Sequence, residues 1–400
     1  MSVQAALFSM DSCVLTSQKQ TNIQSAPARY ELFDALYENK DYLTKQIITY
    51  IGNKRSLLQF ITQGIKIVQE RLGKKKLGMF DVFSGSGIVA RLFKQYSSLL
   101  LVNDLENYSK ITNECYLSNK SELNIPFLKS IHHDLLAEIE NKSLLSMIIA
   151  NMYAPKDDNN IKAGERVFYT RRNAQYIDTM RHLIERIDAN YQKYFLAPLI
   201  SEASIHSNTS GVFKGFYKNH ETGIGQFGGE RKDALLRIKG DIVLPFPVFS
   251  NFDSEYTVFS GDANVVINTA PEVDLAYLDP PYNQHPYGSN YFMLNLILEN
   301  TCPENSSMVS GIPENWNRSA YNKKQFASKA LTDLVANIKS KFVLISFNSE
   351  GFISLDEMKD MLYKIGKLEI LEVTYNTFRG CRNLANRNIH VKEYLYLLEK

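Results

Sequence analysis

Residues 78–96 constrain the fold more than any other stretch of the chain. A short apolar run over 78–83 ends in Ser84-Gly85-Ser86-Gly87, and from Ile88 to Tyr96 the apolar residues resume at helical spacing. That pattern is strand, tight turn, helix. Residues 99–102 repeat it as a second strand, which closes at Asn103-Asp104 before a helical stretch over 108–118. Strands that alternate with helices pair in parallel, because each crossover returns the chain to the same edge of the sheet. Upstream, Leu57, Leu58, Phe60, Ile61, Ile65, Ile67 and Val68 recur every three or four residues and predict a helix over 55–72. The sheet pattern returns at 273–278 and 341–347. It closes with strand-like runs at 368–377 and 389–398, predicted as an antiparallel pair at the sheet edge. The fold class is therefore α/β.

Between about 137 and 271 the alternation lapses. Residues 177–195 have helical spacing, and 207–240 form a glycine-rich stretch in which Phe213, Phe216, Tyr217 and Phe227 lie beside Lys214, Lys218, Arg231 and Lys232. This span reads as an inserted domain. The division expected is a ragged leader over 1–28, a main domain over 29–136 and 260–400, and an insert over 137–259. With 44% hydrophobic residues in 400, the chain can bury a large core without staples. Cys13, Cys115, Cys302 and Cys381 are far apart and lack histidines at zinc-ligand spacing, so neither a structural metal nor a disulfide framework is expected. No apolar run is long enough to span a bilayer, and the reading is a cytoplasmic protein with no membrane partner. The 45 basic and 43 acidic residues nearly cancel. Any affinity for nucleic acid must come from local clustering.

Two turns carry the chemistry. In Asp81-Val82-Phe83-Ser84-Gly85-Ser86-Gly87 the glycines let the backbone approach a ligand and leave helix N-terminal amides free for it. Asp104, at the end of the next strand, can accept hydrogen bonds from ribose hydroxyls. Gly85 to Ala90 also satisfies the dinucleotide fingerprint, so this turn alone does not separate NAD from S-adenosylmethionine. The second turn, Asp279-Pro280-Pro281-Tyr282, follows the strand over 273–278. Its prolines remove two backbone donors, which frees the Asp279 and Pro280 carbonyls to face a site. Asp279 adds a carboxylate acceptor and Tyr282 a flat stacking face. Two acceptors and one aromatic plate suit a planar amine such as N6 of adenine.

With those residues in place, the sequence resembles the D12 class of DNA adenine N6-methyltransferases, from residue 50 to the C-terminus. Tyr50-Ile51-Gly52-Asn53-Lys54 looks like the family's first cofactor motif, and Phe83, Gly85 and Gly87 match its glycine-rich motif. Asp104 matches its ribose acid, Asp262 the residue that bonds the cofactor adenine, and Asp279 to Tyr282 its catalytic tetrapeptide. Residues 287–291, 345–348 and 393–395 look like later structural motifs. The resemblance implies a Rossmann-like S-adenosylmethionine-dependent methyltransferase sheet with an inserted target-recognition domain. It implies Asp279, Pro280 and Tyr282 as catalytic, and Tyr50, Lys54, Phe83, Gly85, Gly87, Asp104, Asp262 and Asp279 as cofactor-binding. Lys214, Lys218, Arg231 and Lys232, within the insert, are expected at double-stranded DNA.

The function expected is sequence-specific methylation of a flipped adenine in double-stranded DNA, in a restriction-modification or related system with a separate endonuclease as a possible partner. No metal is required. The alternatives are an RNA adenine or DNA cytosine-N4 methyltransferase. Outside methyl transfer, an inert DNA-binding module would use the same basic loops. An NAD-dependent oxidoreductase would use the same glycine turn, although the chain offers no His, Lys or Tyr-x-x-x-Lys constellation for hydride chemistry.

Overall fold

A computed structural model describes residues 14–15, 37–230, 232, 234–376 and 390–400. Its frame is one eight-stranded sheet: β1 (Val14–Leu15), β2 (Leu77–Asp81), β3 (Ser97–Asp104), β4 (Glu255–Ser260), β5 (Val273–Leu278), β6 (Ser340–Asn348), β7 (Lys367–Asn376) and β8 (His390–Glu399). The spatial order is β1-β7-β8-β6-β5-β2-β3-β4. Strands β6, β5, β2, β3 and β4 run parallel. Strand β8 lies antiparallel between β6 and β7, as the closing pair was expected to do. This is the Rossmann-like methyltransferase sheet, and its order reverses at the β2–β5 junction, where open α/β sheets bind ligands.

Alternate side chains on each strand feed different layers. Met79, Leu100, Leu275, Tyr277 and Leu344 pack on one face beneath the helices Leu58–Leu72 and Ile88–Lys94. Phe80, Leu101, Ala276, Leu278 and Ile345 pack on the other, against Leu331, Leu334 and Val335 of the helix Lys324–Asn337. Both faces are thereby covered, as buried parallel strands require. Helix Leu58–Leu72 comes close to the sheet at Gly64, where a Cβ would sit 2.8 Å from Leu344. The lysine run that follows is structural in part: Lys74 pairs with Asp274 at 2.6 Å, and Lys76 donates to the Gln95 carbonyl.

Two expectations are corrected. The sheet resumes before residue 260: β4 pairs in parallel with β3 from Glu255, inside the span read as the insert. The helix expected over 177–195 is two helices, Arg171–Glu185 and Ala189–Ile205, because the Asp188 side chain caps the second at Asn190 N. Of the leader, only Val14 and Leu15 lie among the described residues, where they pair with Leu371 and Glu372 at the sheet edge. The helices over 125–205 do not stand apart from the sheet domain. Ile149, Phe168, Ile177 and Ile200 share a buried cluster with Tyr108, Tyr291, Phe292 and Met293.

Candidate active site

A cleft of about 880 Å³ opens at the carboxyl ends of β2, β3, β4 and β5. Five carboxylates line it (Asp81, Asp104, Glu106, Asp262 and Asp279) together with a single lysine, Lys54. Each acid sits where its strand ends, so the parallel sheet itself gathers them.

The turn that opens the helical segment places Lys54. Gly52 adopts φ +75°, Asn53 caps a single 3₁₀ turn, and the backbone of Ile51 is gripped by Tyr291 Oη (2.7 Å from its N–H) and Tyr287 Oη (3.1 Å from its carbonyl). Tyr50 then lies over the glycine turn. Both Tyr287 and Tyr291 stack on it, at 4.9 and 4.7 Å between centroids, and lie 6.0 Å from each other. Gly85, at φ +51°, is fixed as glycine by this approach, since a Cβ there would meet the Tyr50 ring at 2.8 Å. Gly87, at φ +75°, begins the helix Ile88–Lys94 beside Asn113.

Asp104 is bound from both sides: its Oδ2 accepts from Gly85 N–H at 2.8 Å and its Oδ1 from Glu106 N–H at 3.0 Å. Burial nevertheless pushes its pKa up to about 6. Glu106 accepts from Asn295 and Asn317 at 2.7 and 3.2 Å, and burial together with the Asp104 charge moves it up to about 7. Asp81 is fully buried; the Ala90 and Phe83 backbone amides face its carboxyl, but neither oxygen makes a hydrogen bond of full geometry. Burial first, then the Asp279 and Asp104 charges, hold its carboxyl well above the ordinary aspartate range.

Lys54 points between two acids, 2.8 Å from Asp279 Oδ1 and 3.5 Å from Glu393 Oε1. Burial works against its ammonium, but the two carboxylates outweigh burial and keep its pKa well above the ordinary lysine value. Asp279 is pushed up to about 6 by burial, against the pull of Lys54. Tyr282 flanks the cleft rather than lining it, edge-on to Phe347 and 5.8 Å from the Lys54 ammonium. Pro280 is buried directly behind Pro281, which does line the cleft.

The acid ring separates two cofactor readings that the glycine turn left open. A pyrophosphate would meet five carboxylates and a lysine already engaged by Asp279 and Glu393. A ligand with positive centres would find Asp81, buried and without a countercharge. S-adenosylmethionine carries a sulfonium and an ammonium, and it fits this donor set. The profile of the D12 class N6 adenine-specific DNA methyltransferases matches residues 50–361. The chain belongs to that family. It is 28% identical to the Type II methyltransferase M.NlaIII of Neisseria lactamica over 364 residues, 88% of this chain and 99% of that one. It is also 28% identical to the Type II methyltransferase M.CviAII of Paramecium bursaria Chlorella virus 1 over 360 residues, 88% of this chain and 98% of the other. The modification methylase StsI of Streptococcus sanguinis is 26% identical over 88% of this chain and 52% of its own length. As a member of the family the chain is a DNA adenine N6-methyltransferase that uses S-adenosylmethionine.

Of the residues singled out for this methyltransferase, the structure brings Tyr50, Lys54, Phe83, Gly85, Asp104, Asp262 and Asp279 into one cleft, with Gly87, Pro280 and Tyr282 at its border. The Asp262 Oδ1 caps the short helix Ala263–Val266. Lys214, Lys218 and Lys232 are exposed, and Arg231 lies outside the described residues. Burial and then the Lys214 charge lower the pKa of His285, on the loop after Tyr282. Buried Asn208 ties the basic loop down, donating to Val167 and Gln226 carbonyls and accepting from Gly228 N–H. Sequence reasoning missed Asp81, Glu106, Asn317 and Glu393 as site residues. Asp81 was findable as the last strand residue before the glycine turn, whereas Asn317 comes from a loop without periodicity. Among the described residues no cluster of three or more His, Cys, Asp or Glu has metal-ligand geometry, and no helix is long and apolar enough to cross a membrane.

Proposed function

We propose that the chain is a sequence-specific modification methyltransferase that acts on an adenine extruded from double-stranded DNA, as part of a restriction-modification system with a separate endonuclease. Relatives named Type II methyltransferases over nearly their whole length support that biological setting. The observation that carries the chemistry is Asp279, one side of its carboxylate held by Lys54 and 18% of its side chain open to the cleft. Bound S-adenosylmethionine supplies an activated methyl on a sulfonium leaving group.

Asp104 and Asp262 would hold the ribose and adenine of the cofactor, Tyr50 would cover it across Gly85, and Asp81 would take its ammonium. Asp279 accepts a hydrogen bond from the target N6 amine, and the Pro280 carbonyl accepts the second. Those two acceptors draw the nitrogen lone pair out of the ring and fix it for in-line attack. Tyr282, beside rather than inside the cofactor cleft, stacks on the extruded base. Extrusion costs a few kcal/mol. The span between β3 and β4 offsets it, with Lys214, Lys218, Arg231 and Lys232 on the phosphates. The Lys214 charge acts on His285, on the loop after Tyr282, which supports this placement.

Asp279→Ala tests the assignment. Transfer to an adenine-containing duplex should fall by at least about 10²-fold while S-adenosylhomocysteine still binds, as expected for loss of an interaction made only to the reacting amine. Transfer at the parent rate would remove Asp279 from the chemistry.

A further inference from the structure

Lys54 is one cation shared between two buried carboxylates, and only one of the two can reach the cleft. Glu393 belongs to β8, where it pairs across to Asn348 in β6 and Val373 in β7, and it is 1% exposed. Its Oε1 takes Ser346 Oγ–H at 2.5 Å and lies 3.5 Å from Lys54 Nζ, while its Oε2 has no partner. On the opposite side Lys54 Nζ is 2.8 Å from Asp279 Oδ1, with the Gly52 carbonyl at 3.4 Å.

We propose that Glu393 is a positioning residue that withholds part of the Lys54 charge from Asp279, so that the Asp279 carboxylate remains a strong acceptor for the target amine. The proposal rests on the assignment of Asp279 given above. A lysine paired with Asp279 alone would hold that carboxylate in place but draw down its electron density, weakening it toward a neutral amine N–H. With the second carboxylate behind the ammonium, the buried trio carries a net negative charge. Lys54 can then orient Asp279 without quenching it.

Nothing else at hand explains an acid at residue 393. A buried carboxylate with one oxygen unpartnered is destabilising, and a glutamine would accept equally well from Ser346 and Lys54. What glutamine lacks is the charge. The other titratable groups facing Asp279 are the Tyr277, Tyr282 and Tyr287 phenols, which burial raises and so keeps neutral, and Asp81 across the cleft. Of the acids around Asp279, Glu393 alone reaches Lys54 from behind.

The test reads Asp279 directly. The full chain is labelled at aspartate 13Cγ, the Asp279 resonance is assigned by its loss in Asp279→Asn, and its titration is followed without DNA or cofactor. The parent protein should give a pKa near 6. Glu393→Gln should lower it by about one pH unit, a tenfold change in the ionisation constant, and should shift the acid limb of single-turnover methyl transfer the same way. Glu393→Asp, which keeps the charge, should leave the resonance within a few tenths of a pH unit of the parent. A folded Glu393→Gln protein whose Asp279 titrates as the parent would overturn the proposal. So would a parent Asp279 that titrates in the ordinary aspartate range, an arm that requires no variant to fold. Parent-rate methylation by Asp279→Asn would instead overturn the assignment of Asp279, and the titrations would still show whether Glu393 sets its ionisation.

Discussion

Replacing Asp81 with asparagine should strengthen the free protein and weaken its hold on the cofactor. In the free protein this carboxyl is buried, makes no hydrogen bond of full geometry to the nearby Ala90 and Phe83 amides, and faces Asp279 and Asp104. Its pKa is raised in the folded state, so between the ordinary aspartate value of about 3.9 and the raised native value folding takes up a proton, and parent stability falls as pH rises through that window. Asparagine removes that penalty and should add about 1–3 kcal/mol to stability at pH 7.5. Binding should move the other way. A carboxylate about 4 Å from an ammonium is worth about 4 kcal/mol at an effective dielectric constant of 20. Release of the Asp81 proton offsets part of that, leaving about 2–3 kcal/mol, or a roughly 30- to 150-fold weaker Kd for S-adenosylhomocysteine. Because the proton must leave, parent affinity should rise by up to about tenfold per pH unit below the Asp81 pKa, and this slope should vanish in the variant. Thermal unfolding with and without ligand, and calorimetric titration across pH, measure both signs. A variant that loses stability while binding S-adenosylhomocysteine as the parent does would refute the reasoning and make Asp81 structural.

Three further outcomes follow from the geometry. Gly85→Ala places a methyl 2.8 Å from the Tyr50 ring at φ +51°; it should cost about 1–3 kcal/mol in stability and displace Tyr50, which thermal unfolding and cofactor titration would record. Lys214→Ala should weaken binding to cognate and random duplexes alike and reduce the slope of log K against log salt by about one, measured by fluorescence anisotropy. Asn208→Ala breaks the bonds that hold Val167, Gln226 and Gly228 together; it should speed proteolysis within 209–230 and lower DNA affinity about tenfold, with cofactor affinity unchanged.

What could be read from the sequence was local. The strand Val273–Leu278 stands where its apolar run ends, because Asp279-Pro280-Pro281 cannot extend a ladder. The glycine turn, Asp104 and the final antiparallel pair were equally visible, since each is written in contiguous residues. Strand β4 was not, because it is a short edge strand in which no residue is fully buried. The shared core of the 125–205 helices with Tyr291, Phe292 and Met293 was hidden for a different reason. Helical spacing shows that a face is apolar and leaves its partner unnamed. Glu393 lies in a stretch that resembles a structural motif, but its contact with Lys54 comes only from the sheet order, and Asn317 reaches the site from a loop through long-range packing.

The central claim is that the cleft at the ends of β2 to β5 transfers a methyl group to adenine N6 in DNA through Asp279. The most direct measurement is expression of the chain and its Asp279→Ala variant in a methylation-deficient host, followed by single-molecule sequencing of the host DNA. The account predicts N6-methyladenine at one short recurring sequence with the parent chain and none with the variant. Modified cytosine, or an adenine signal that survives loss of Asp279, would contradict it.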